Sequence, residues 1–227
     1  MLVTFPDDLP ISGGFAPAVK SLSGGQSLDG FEQVTSQLSD RWMASFAFNI
    51  NSDARVLSFR AFVLGMRGRA NSVLLPAFDL ARAPWAVDTF GRKITPGLRR
   101  SPQLDVTPYA DPPGLRSGLI GARLHAAAAI NTTTLSVDMV TGSAPQPGHL
   151  FSIGTKLYSV LNVAGSGPYS LGIWPWLRAD AAMLSGIEFA SPVCEMRFAT
   201  DTEGQDALSS LAQLRRTTIT LRFDEVP

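Results

Sequence analysis

Period-two alternation of apolar side chains marks both halves of this chain and favours strands with one buried face. Every second residue from Trp42 to Ile50 is apolar. The final segment, "TTITLRFDEV", alternates in the same way, with Ile219, Leu221 and Phe223 on one side. We expect this last strand to return to the sheet that the earlier strand begins.

A helix and a short strand follow the first alternating run. In "NSDARVLSFRAFVLGMRG" the apolar residues recur at steps of three and four, and Ser52 stands where an N-cap is needed. "NSVLLPAFD" predicts a strand that stops at Pro76, because proline cannot donate to a β-ladder. A second, short helix is predicted in "DTEGQDALSSLAQLRR". Residues 1–30 are rich in glycine and serine and predict an ordered arm or loop.

Short strands separated by turn residues indicate a second domain. "NTTTLSVDM" alternates like a strand, and three further short strands follow it between glycine-rich turns. Such spacing is typical of a small antiparallel barrel or sandwich. We therefore predict a mainly β fold: a β-sandwich-like domain with one well-marked helix, formed by residues 1–114 and 196–227, and an inserted small antiparallel β-barrel domain, formed by residues 115–195.

Composition restricts the classes of partner and compartment. Charged residues are only 17% of the 227, and 19 basic residues balance 19 acidic ones, so net charge gives no reason to expect specific nucleic-acid or membrane binding. Arginine far outnumbers lysine, which suits protein interfaces, although a codon bias of the source genome explains it equally well. The single cysteine, Cys194, excludes an internal disulfide. The start of the chain does not resemble a signal peptide, and we expect a soluble protein that folds inside the cell.

Residues for catalysis are sparse. His125 and His149 are far apart and lack the spacing of a metal motif, and no nucleophile elbow or phosphate-binding loop occurs. Three carboxylates in "DTEGQD" do not follow the spacing of a calcium loop. We expect no catalytic residues, no metal, no cofactor and no enzymatic activity.

Two tryptophans flank a proline in "LGIWPWLR". Pro175 ends the hydrogen bonding of the preceding strand, while Trp174 and Trp176 close a core or cover a self-association surface. An alternative is a carbohydrate-binding module in which Trp174, Trp176 and Tyr169 act as sugar platforms.

Several segments taken together resemble a known family. They are "GFEQVTSQLSDRWMASFAF", "FRAFVLGMRGRANSVLLPAFD", "GHLFSIGTKLYSVLNV", "LGIWPWLR", "SPVCEMRFA" and "TTITLRFDEV". In this order they are similar to distal tail proteins, or related minor tail proteins, of long-tailed, siphophage-like bacteriophages. The resemblance implies a structural virion protein that forms a homo-oligomeric, usually hexameric, ring through its β-rich domain.

The resemblance also implies partners and a location. The ring would join the tail tube protein to the tail hub protein, with a receptor-binding or side-fibre protein as a further partner. The protein would be made in the cytoplasm of the host bacterium and end in the virion tail. A tail completion protein and a tube-tip protein remain alternatives within the virion, and a cell-wall hydrolase is the weakest alternative.

A ring subunit needs two unlike surfaces that meet head to tail. We expect residues Phe5 to Phe15 to form an arm on a neighbour and residues Arg92 to Arg100 to form an inter-subunit or inter-ring loop. The predicted interface residues are Phe5, Phe15, Arg92, Arg99, Arg100, Trp174 and Trp176.

Overall fold

A computed structural model describes residues 1–6, 11–19, 21–26, 29–36, 40–77, 84–85, 120–213 and 217–226. The chain divides into two compact units. Met1–Leu75 and Cys194–Pro227 form one, called the sheet unit here, and Pro76–Val193 form the other, called the barrel unit. The predicted boundary between residues 114 and 115 lies outside the described residues, so the predicted domain limits stay a prediction.

Strands dominate both units. In chain order the elements are β1 (Leu2–Val3), β2 (Ile11–Ala18), β3 (Ser21–Gln26), β4 (Glu32–Ser36), β5 (Arg41–Ile50), α1 (Asp53–Met66), β6 (Ser72–Pro76), β7 (Gly121–Leu124), β8 (Thr134–Thr141), β9 (Leu150–Ile153), β10 (Lys156–Ala164), β11 (Tyr169–Trp174), β12 (Gly186–Ile187), β13 (Val193–Phe198), α2 (Glu203–Gln213) and β14 (Thr217–Glu225). The predicted mainly β class is confirmed.

The sheet unit contains a six-stranded sheet in the order β1-β6-β13-β14-β5-β2. β14 runs antiparallel to β5, with Phe223 opposite Ala44, so the last strand returns to the first alternating strand as predicted. The apolar set of β5 from Trp42 to Ile50 is buried, because alternate side chains of a strand point to the same face. β2 pairs with the other side of β5 and forms the edge of the sheet.

Two helices accompany this sheet. The hydroxyl of Ser52 accepts a hydrogen bond from the backbone N–H of Arg55 and caps α1, as the sequence predicts. The buried stripe of α1 packs on the sheet through aromatic rings: Phe59 lies 5.4 Å from Phe48, and Phe62 lies 6.2 Å from Phe198, centroid to centroid. The predicted second helix, α2, is also present.

The barrel unit is a six-stranded antiparallel sheet in the order β12-β7-β8-β11-β10-β9. An isolated bridge between Ser152 and Glu188 connects its two ends, so the sheet is nearly closed. β9 and β10 are joined by the two-residue turn of Gly154 and Thr155, where φ is +62° at Gly154. The enclosed core includes the fully buried Leu124, Leu135, Phe151, Tyr158, Leu171 and Phe189. The predicted barrel is thus confirmed.

Candidate functional site

A two-stranded hairpin extends beyond the sheet unit's main sheet. β3 and β4 pair antiparallel, with Ser21 opposite Ser36, and form a two-stranded sheet of their own. Every side chain of β3 is exposed, as are those of residues 31–35. The hairpin therefore presents both of its faces to the surroundings.

The hairpin carries apolar and acidic side chains together. Leu22 is 60% exposed and Val34 57% exposed. Leu22 lies opposite Thr35 and Val34 lies opposite Ser23, so the two apolar side chains are on opposite faces of the hairpin. Asp29 and Glu32 are exposed near the same tip. We call Asp29, Glu32 and Val34 the hairpin surface.

Helix α1 has a second, outward-facing apolar stripe. Leu57 and Leu64 are each 61% exposed, and Asp53, Arg60 and Ala61 are exposed beside them. These spacings of three, four and seven residues place the side chains along one side of the helix. We call these five residues the outer face of α1.

Sequence reasoning missed both surfaces. The signal for the outer face was the pair Leu57 and Leu64, which are seven residues apart and lie off the buried stripe of α1. The signal for the hairpin surface was weaker, since Val34 is an isolated apolar residue among polar ones.

The predicted interface residues Phe5 and Phe15 contact rings of their own unit. Phe5 lies 6.1 Å from Phe48, and Phe15 lies 5.6 Å from Phe46. Residues 11–18 form strand β2 rather than the expected arm or loop, because β5 supplies hydrogen-bond partners for their backbone. A role of Phe5 and Phe15 between copies stays a prediction.

The predicted aromatic residues of the barrel unit are partly buried. β11 ends at Trp174, directly before Pro175, as expected for a residue without an N–H. The guanidinium carbon of Arg178 lies 4.9 Å from the centroid of the Trp176 ring, within cation–π range. Tyr169, Trp174 and Trp176 each keep intermediate exposure.

Arg92, Arg99 and Arg100 lie outside the described residues, so the predicted basic loop stays a prediction.

The two histidines have different surroundings. Nδ1 of the exposed His125 lies 3.1 Å from both carboxylate oxygens of Asp138. His149 is buried, its Nδ1 accepts the backbone N–H of Gln146 at 3.0 Å, and burial lowers its pKa below the ordinary 6.5. Within the described ranges, no group of three or more His, Cys, Asp or Glu side chains is placed to hold a metal.

A shallow depression of about 400 Å³ lies on the barrel unit. Its lining is mostly small, with Gly121, Ala122 and Gly154 beside Glu188. The Glu188 carboxylate already accepts the backbone N–H groups of Ala190 and Ser191, so it stabilises the local turn. We therefore do not propose a ligand site in this depression.

No protein-family model matches this chain, and no curated protein matches it. In the part of the chain that the structure describes, no helix is long and apolar enough to cross a membrane. Any proposal for the function therefore rests on the residues of this chain and their geometry.

Proposed function

We propose that this chain is a structural subunit of a bacteriophage tail tip and assembles into a ring that joins the tail tube to the hub. The observation that carries the proposal is the hairpin formed by β3 and β4, whose side chains at Ser21–Gln26 and at residues 31–35 are all exposed. The family resemblance of the sequence supports the same role.

An isolated two-stranded hairpin is only marginally stable in water. Exposed Leu22 and Val34 add apolar surface that a neighbouring protein would remove from water. A contact with a neighbour would therefore stabilise the hairpin and the assembly together. An assembly role accounts for an element that extends away from its own core.

The proposed partners are further copies of the chain, the tail tube protein, the tail hub protein, and a receptor-binding or side-fibre protein. A hexamer is the proposed copy number, taken from the resemblance. Location in the virion tail, after synthesis in the cytoplasm of the host bacterium, is part of the same proposal. The role requires no catalytic step.

Negative-stain imaging tests the ring. The full chain would be imaged at high concentration alone and after coexpression with the tail tube and hub proteins of the same phage. We expect closed rings with a central hole and six-fold or three-fold symmetry in at least one of the two preparations. A chain that forms no ring alone and enters no complex with the tube or hub proteins would contradict the proposal.

Carbohydrate binding by the barrel unit is the second candidate function. Tyr169, Trp174 and Trp176 each retain partly exposed surface, and aromatic faces are able to stack on sugars. Titration with fragments of bacterial wall polysaccharide would test it, comparing Trp176→Ala with the control Trp85→Ala, since Trp85 is a partly exposed tryptophan of the same unit. Saturable binding that only Trp176→Ala weakens would favour this function over the ring.

A further inference from the structure

Apart from residues at its N-terminus, the sheet unit exposes most of its large apolar side chains in two places, the hairpin region and helix α1. In the described part of the unit, the hairpin region exposes Val19, Leu22, Phe31 and Val34, and α1 exposes Leu57 and Leu64. β5 adds Met43 at 40% exposure. Two concentrated apolar surfaces on one subunit suit a head-to-tail contact, which needs two unlike patches.

The charges at the centres of the two surfaces have opposite signs. The hairpin surface carries the acids Asp29 and Glu32. The outer face of α1 carries Arg60 between its two leucines and Asp53 at its N-terminal end, and Arg67 follows the helix as its C-cap. Opposite charges around an apolar contact steer association and exclude wrong registers. Both surfaces therefore combine exposed apolar side chains with a neighbouring charge, and Glu32 and Arg60 have opposite signs.

The spacing of side chains also matches. On β4, Glu32 and Val34 are two residues apart, so they share a face and lie about 7 Å apart along the strand. On α1, Arg60 lies three residues after Leu57 and four residues before Leu64, so it neighbours both exposed leucines. Residues three or four apart are neighbours on a helix surface. The strand thus carries an acid beside an apolar residue, and the helix carries an arginine beside two leucines.

We infer that the hairpin surface of one copy docks on the outer face of α1 in the next copy, with Val34 against the leucines and Glu32 against an arginine. This inference rests on the proposed ring-forming function and names the contact that would build the ring. Both surfaces are exposed within a single chain, so each is available to a second copy. Repetition of the same contact around a rotation axis closes a ring.

Charge reversal tests the pairing on the full chain. Glu32→Arg and Arg60→Glu should each weaken self-association about tenfold or more, measured by sedimentation over a concentration series. An equimolar mixture of the two variants should restore association, because each reversed surface then meets its complement on the other variant. The chain with both reversals should also associate. Circular dichroism and thermal unfolding of each variant would show that folding is unchanged.

Truncation of the apolar side chains provides an independent measurement. Val34→Ser and Leu64→Ser should both weaken self-association. Leu161→Ser is the matched control, because Leu161 is 57% exposed on the barrel unit and should leave association unchanged. Equal effects of all three substitutions would overturn the inference.

Disulfide trapping detects the contact even when association is weak. A mixture of the Val34→Cys and Leu64→Cys chains, oxidised with diamide, should give a mixed dimer joined through residues 34 and 64. The native Cys194 is buried and should not compete. A mixture of Val34→Cys and Leu161→Cys chains is the control. Absence of the specific mixed dimer at high concentration would overturn the inference.

The outcomes separate this contact from the proposed function. Rings that persist in Glu32→Arg and Arg60→Glu would overturn the contact and leave the ring function standing. A trapped dimer without rings, either alone or with the tube and hub proteins, would retain the contact and contradict the tail-ring function.

Discussion

His149 is a buried histidine whose packing favours one protonation state of its ring. Its ring lies edge-on to Phe189, 6.4 Å between centroids, and its Nδ1 accepts the backbone N–H of Gln146. That hydrogen bond requires Nδ1 to be unprotonated, and burial disfavours the charged ring. Both effects favour neutral histidine in the folded protein.

The stability of the barrel unit should therefore depend on pH through His149. Since the folded pKa lies below 6.5, the unfolded chain binds the proton first as the pH falls. The free energy of unfolding should be insensitive to this group above about pH 6.5 and should decrease as the pH falls from that value towards the lower folded pKa. Urea unfolding at pH 7.5 and 5.5 would measure the loss.

His149→Asn provides the comparison, because its amide oxygen is able to accept the same N–H without titrating. This variant should lose less stability than the wild type between the two pH values. His125→Asn, which removes the exposed histidine, should still show the loss attributed to His149. Equal pH dependence in the wild type and His149→Asn would contradict the assignment.

At the level of elements, β2 shows how one glycine permits an edge strand. Gly13 has φ of +139°, and a Cβ at this position would lie 2.1 Å from the carbonyl oxygen of Ser45 on β5. No side chain fits that approach without moving the backbone. A Cβ added to the neighbouring Gly14 would have no other atom within 4 Å.

Gly13→Ala should separate β2 from β5 locally and reduce the free energy of unfolding by about 1–3 kcal/mol, because both the steric overlap and the backbone conformation are unfavourable. Gly14→Ala is the matched control and should have a smaller effect. Denaturant unfolding would compare their stabilities, and amide hydrogen exchange would report loss of protection in β2. An equal change in both variants would show that the close approach at Gly13 is not what matters.

Element type was predictable where local pattern and tertiary environment agree. The alternation in β5 and β14 and the cap at Ser52 each indicated the element that forms. β2 and β3 were not predicted, because their glycines and serines favour irregular backbone. β2 takes its ladder partners from β5, which lies farther along the chain, and β3 takes its partners from β4, the next strand of its hairpin.

For the molecule as a whole, each unit has an aromatic core of its own. Phe48 and Phe151 are both completely buried, the first among Phe5, Phe59 and Phe62 in the sheet unit and the second against Tyr158 and Phe189 in the barrel unit. The period-two alternation of β5 predicts the burial of Phe48. The division of the Phe48 and Phe151 rings between two cores follows from the two-unit fold.

Truncation of these rings should destabilise different parts of the chain. Phe48→Ala and Phe151→Ala should each cost about 3–5 kcal/mol in the unit that contains the ring, because a cavity replaces buried aromatic contacts. Hydrogen exchange followed by mass spectrometry should show faster exchange concentrated in the sheet unit for Phe48→Ala and in the barrel unit for Phe151→Ala. Similar increases throughout the chain in both variants would contradict two separate cores.

The sequence by itself determined the local alternation of buried and exposed residues, and with it the mainly β class, helix α1 and the small barrel, because these depend on periods that neighbouring residues already contain. Only the tertiary structure decided that Phe5 packs on Phe48, that Gly13 approaches Ser45, and that Leu57 and Leu64 stay exposed. These outcomes depend on residues far apart in the chain. Exposure in particular depends on which face of each element another element covers, and that choice is made only when the whole chain packs.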